Sequence, residues 1–136
     1  MAILFSEAWM KQFAKAWNSE KKMVVPLGNI NFSSNIGYGF DGNDNPSGVL
    51  IVEKGKVVRS GTYSNEELNW YLRATQENWR IWIESGFGLS RLGPAVTMGK
   101  LKFVIGDYRK MIRSPSMSAP FLRHFVIMSE MKTSYK

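Results

Sequence analysis

The sequence predicts an α+β protein built as one domain over residues 1–136, and three observations carry that prediction. An apolar face recurs at helical spacing near the start, alternating runs broken by turn residues fill the middle, and a very apolar helical stretch lies near the end. A hydrophobic fraction of 44% with 13% aromatic residues in 136 positions suits a packed core rather than a disordered chain.

Ser6 is placed to cap a helix, with Glu7 in the first turn where the helix dipole favours an anion. Trp9, Phe13 and Trp17 follow four residues apart, and the helix ends near Asn18. Met23-Val24-Val25 predicts a short strand stopped by Pro26-Leu27-Gly28. Asn29 to Phe40 alternates loosely, and its Gly37 and Gly39 mark a bulge or a close approach by another group. Residues 41–48 are turn chemistry, Val49–Glu53 is a strand, Lys54-Gly55 reverses the chain, and Lys56–Arg59 returns as an antiparallel neighbour. Ser64-Asn65-Glu66-Glu67 has the form of a capping box. It predicts a helix over 65–85 carrying Leu68, Leu72, Thr75, Trp79, Trp82 and Ile83, closed by Gly86. Gly86–Gly93 is expected to be a loop, and Pro94 to open a short helix. Residues 100–105 alternate as a half-buried strand, and Asp107–Arg113 is helical. Ser114–Pro120 is expected to be a loop, and 121–131 a helix apolar over more than one face.

Composition narrows the chemistry. There is no cysteine, which removes disulfides, thiolate metal ligands and a cysteine nucleophile. The single histidine, His124, sits in the most apolar helix without a nucleophile motif nearby, so a structural role is expected and no catalytic residue is assigned. One histidine cannot anchor a zinc site without several carboxylates, and the Asp41–Asp44 segment lacks the glutamate of a calcium loop, so neither metal nor cofactor is expected. Gly86-Phe87-Gly88-Leu89-Ser90-Arg91 follows a helix and lacks the third glycine of a dinucleotide fingerprint. The start lacks a basic region and a long apolar stretch, which makes a cytoplasmic location the expectation.

The net charge of +7 is uneven, with +1 over residues 1–99 and +6 over 100–136. That basic quarter would suit transient contact with an anionic membrane or headgroup. A nucleic-acid partner is disfavoured, because the basic residues are not interleaved with aromatics on one strand face.

Residues 98–107, Met-Gly-Lys-Leu-Lys-Phe-Val-Ile-Gly-Asp, resemble the Gly-Lys-Leu-Lys-x-x-Gly-Asp segment of the sterol-carrier-protein-2-like lipid-binding family. The order of elements over residues 5–131 is similar to that family as well, including the Gly48–Val57 meander. Three features depart from it: a long 65–85 helix, Val96-Thr97 in place of Ala-Phe, and the proline-containing 114–120 stretch. The resemblance implies about five mainly antiparallel strands covered by helices. It also implies non-catalytic binding or transfer of an apolar ligand, a fatty acyl chain or sterol, in a tunnel between sheet and helices. Trp79, Trp82, Phe87, Leu92, Phe103, Phe121, Phe125 and Met128 are the expected lining residues, because they lie on elements whose apolar faces turn inward. Two other functions stay open: an accessory or interaction domain with a filled core, and a basic nucleic-acid-binding protein.

Overall fold

In the computed structural model, which describes residues 1–136 apart from the Leu89 side chain, Ser6 starts the first helix as its sequence requires. Its Oγ accepts the Trp9 amide at 3.3 Å, and α1 (Glu7–Ser19) buries Trp9, Phe13 and Trp17 on one face. At the far end, Asn18 binds both the amide and the carbonyl of Val57, tying the helix to a strand. The next segment is a helix, α2 (Lys21–Asn29), where a strand was expected. Met23 and Leu27, four residues apart, both turn inward, whereas Val25 is exposed, a pattern with helical period.

The sheet is built from β2 (Ser34–Phe40), β3 (Gly48–Glu53), β4 (Lys56–Thr62), β5 (Trp70–Ala74) and β6 (Lys102–Ile105), in the order β4-β3-β2-β5-β6. Three pairings are antiparallel and one, β2 with β5, is parallel. A separate parallel pair joins β1 (Ala2–Ile3) to β7 (Thr133–Ser134). Lys54 and Gly55, both with positive φ, make the β3–β4 reversal. Gly37 and Gly39 mark a close approach: Pro46 and the Tyr71 ring pack where their Cβ atoms would stand.

The expected 65–85 helix is corrected. Residues 63–69 are irregular, 70–74 form β5, and only α3 (Gln76–Ser85) is helical. Tyr71, Leu72 and Ala74 are all buried, so β5 is covered on both faces and shows no alternation to betray it. The Ser64 amide donates to Glu66 Oε1 at 2.6 Å, and the helix cap is Thr75, whose Oγ1 accepts from the Asn78 amide at 3.1 Å. Ser6→Ala and Thr75→Ala are each expected to cost about 1 kcal/mol. Ser64→Ala is expected to stay within about 0.5 kcal/mol. Denaturant midpoints of the three variants check this, and an equal loss at Ser64 would contradict the assignment.

Two further expectations fail for one shared reason. The 86–93 loop gives way to α4 (Leu89–Thr97), and the 114–120 loop is the start of α6 (Pro115–Glu130), preceded by α5 (Tyr108–Arg113). Pro26, Pro94 and Pro120 are each the sixth residue of their helices. The carbonyl each leaves unpaired therefore belongs to the second residue, Lys22, Ser90 or Ser116, and all three are exposed to water. Proline placed this close to a solvated helix start does not end the helix. Among the described residues, no helix is long and apolar enough to cross a membrane.

Candidate ligand site

Met117, Pro120, Phe121 and His124 recur at helical spacing and form a stripe on α6 that faces the sheet. Opposite it stand Ile36 of β2 and Trp70 of β5, which are direct partners across the parallel ladder, and Leu72 one step further. Trp17, Met23, Leu27 and Phe32 close the remaining side. These residues enclose an almost wholly apolar cavity of about 40 Å³. That is room for about three waters, so an acyl chain enters only by displacing side chains. Trp70, Met117, Phe121 and Phe32 are half-buried and mark the mouth. Met23 and Met117 are unbranched and can re-pack around a guest.

Trp70 is held at that mouth by the glycine of the 98–107 segment. Its ring occupies the space that a Cβ on Gly106 would need, and Gly106 has φ +114°. Asp107 then caps α5, its Oδ1 accepting the Lys110 amide at 3.0 Å. The Gly-Asp pair thus ends an edge strand, seats a tryptophan and starts a helix.

His124 supplies the main polar feature of the cavity wall. Nδ1 lies 2.7 Å from the Phe121 carbonyl, which can only accept, so Nδ1 carries the proton. Nε2 accepts from the Tyr38 hydroxyl at 2.8 Å. Burial holds the imidazole down at about 4, against the opposing pull of the Phe121 carbonyl. Burial also pushes the Tyr38 hydroxyl well above its ordinary value. The pair is neutral and internally satisfied: Nδ1 bonds within α6, and Nε2 ties α6 to β2 through the Tyr38 hydroxyl. Among the described residues, no group of three or more His, Asp or Glu could hold a metal ion.

The eight residues expected to line a tunnel are spread differently. Phe121 lies on the cavity wall. Trp79, Trp82, Phe87 and Phe125 form a chain of ring contacts behind it, with centroids 5.5, 4.7 and 4.5 Å apart. Leu92 and Met128 are buried in the same core. Phe103 is half-buried between Trp70 and Tyr108, and lies 5.7 Å from Phe121. Sequence reasoning missed Met23 and Leu27, although their spacing of four would have served, and missed Leu72 by placing it on a helix.

The β4-β3-β2-β5-β6 sheet with its covering helices is the sterol-carrier-protein-2-like fold. The crystal structure of sterol carrier protein 2 matches with a TM-score of 0.74 at 14% identity, covering 95% of this chain and 99% of that one. A conserved hypothetical protein from Thermus thermophilus matches at 0.68 with 12% identity, over 100% of this chain and 94% of that one. UbiJ-SCP2, a ubiquinone synthesis protein, matches at 0.58 with 9% identity, over 89% and 92%. No protein-family model and no curated protein matches this sequence.

Proposed function

We propose that residues 1–136 act as one unit that binds, and passes on, the apolar chain of a lipid, a fatty acyl chain or a sterol, without chemical change. The observation that carries the reading is the apolar cavity between the α6 stripe and the β2–β5 ladder, with half-buried side chains at its mouth. Each methylene moved from water into such a site contributes about 0.8 kcal/mol, so a long chain binds without a polar handle. Phe121 would touch the ligand first. Phe103 stands beside it, next to Trp70; Phe125, Phe87, Trp82 and Trp79 back it, and a chain long enough to part α6 from α3 would reach those four with Leu92 and Met128. The basic residues of the last quarter would meet an anionic membrane during transfer in the cytoplasm.

The small cavity supports a second reading, an interaction domain whose core is simply filled. Titration with a fluorescent fatty acid separates the two. Saturable 1:1 binding that quenches tryptophan emission is expected, since Trp17 and Trp70 line the cavity. Ile36→Phe fills the space and is expected to weaken binding about tenfold, with a stability cost of no more than about 1–3 kcal/mol. Absence of binding for both acyl chains and sterols would leave the interaction-domain reading.

A further inference from the structure

The two sides of α2 differ. Met23 and Leu27 are buried and line the apolar cavity, whereas Val25 is 54% exposed and lies on the outer side with Pro26. There α2 and the start of α6 border an open groove of about 590 Å³. Its floor is apolar, made by Val25, Pro26, Pro115 and Ala119. Three prolines line it, counting Pro120, and their fixed φ leaves the walls little freedom to lose on binding. Its cations are Lys21, Lys22 and Arg123, and no carboxylate lines it. The Glu20 carboxylate takes Arg123 Nη2 at 2.8 Å and the Lys22 amide at 3.4 Å, so it offsets the arginine and is itself engaged. Neither lysine has an ion-pair partner among the described residues.

We infer that this groove docks an acidic segment of a partner protein, one that carries a large apolar side chain between its carboxylates. The apolar side chain rests on Val25 and the prolines, and Asp or Glu residues beside it meet Lys21 and Lys22. Charge complementarity sets the sign of the partner. A second copy of this chain is a poor occupant, because it carries the same net charge of +7. A nucleic acid finds no aromatic side chain in the groove on which to stack a base, and gains nothing from an apolar floor. A flat bilayer spans a concave hollow and leaves its apolar lining wet, whereas a protruding side chain fills it. The inference does not depend on what the cavity on the other side of α2 holds.

The test selects a phage-displayed library of random dodecapeptides on the whole chain. Enrichment of sequences with several Asp or Glu around a Leu, Ile, Phe or Trp is expected. A synthetic peptide of the enriched sequence, followed by fluorescence anisotropy, is expected to bind less tightly as salt rises, because both lysines are exposed. Lys21→Glu/Lys22→Glu is expected to weaken that binding about tenfold or more. Both positions lie in the first turn of α2, where acidic residues suit the helix dipole, so the melting temperature is expected to hold. Val25→Ser, also exposed, is expected to weaken binding about fivefold without touching a charge. No enrichment of acidic sequences, or an enriched peptide that binds both variants as tightly as the parent, would overturn the docking site. Phosphatidylglycerol vesicles and a single-stranded oligonucleotide are run beside the peptide, and the lysine substitutions are expected to affect them less. A larger loss for either than for the peptide would assign the face to a membrane or a nucleic acid and overturn the partner protein.

Discussion

Trp79→Ala is expected to lower stability by about 3–5 kcal/mol, and with it the melting temperature by roughly 10–17 °C. Trp79 is fully buried, edge-on to Phe5 at 5.1 Å and to Trp82 at 5.5 Å. Its indole N–H donates to the Gly39 carbonyl at 2.9 Å, fixing the end of β2, the strand that carries Ile36 and Tyr38. The substitution opens a cavity and removes a buried hydrogen bond together. Trp79→Phe keeps most of the volume and isolates the second loss, expected at about 1–2 kcal/mol. Denaturant unfolding of the three proteins measures both. A Trp79→Ala cost below about 1 kcal/mol would mean that the ring chain from Phe5 to Phe125 collapses around the gap.

Acid is expected to destabilise the protein through His124. The folded state holds the imidazole neutral down to about 4, whereas the unfolded chain takes up a proton near 6.5. Between those values the unfolded state binds more protons, so stability decreases as the pH falls. The contribution is complete above about pH 6.5 and about 3 kcal/mol smaller by pH 4. His124→Gln should be less stable at pH 7 but should lose less on acidification, because it has nothing to titrate in this window. Urea midpoints at pH 7, 5.5 and 4 decide it. Glu20, Glu66 and Glu77, whose carboxyls lie below their ordinary value, titrate lower and equally in both proteins. Equal losses in the two would place the pH dependence on those carboxylates. Tyr38→Phe tests the same pair from the other side, since it leaves Nε2 buried without a donor.

Local signals in the chain were legible where one surface was in contact with solvent. α1 shows its Trp9-Phe13-Trp17 face because the opposite side is exposed, and the Lys54-Gly55 reversal shows because positive φ demands such residues. β5 was hidden by burial on both faces, and α2 was hidden by a valine pair and a proline. The capping-box pattern at 64–67 misled because Glu66, which also holds Arg59 at 2.8 Å, takes the Ser64 amide in place of the Glu67 carboxylate that the box requires. For the site, the sequence pointed to α6 and to the richness of aromatic residues, but not to which rings meet a cavity and which meet each other.

By itself, the sequence determined the α+β class, the antiparallel meander, the strand at 100–105, the apolar character of α6 and the concentration of positive charge after residue 100. These follow from periodicity, turn chemistry and composition, which are properties of neighbours along the chain. Only the tertiary structure decided that Trp70 and Ile36 pair across a parallel ladder, that α2 is a helix, and that Phe121 faces a void while Phe125 fills one. It also decided that Lys21, Lys22 and Arg123, about a hundred residues apart, border one groove. Those outcomes depend on which surfaces of distant segments come within van der Waals or hydrogen-bonding distance, and no local pattern carries that distance.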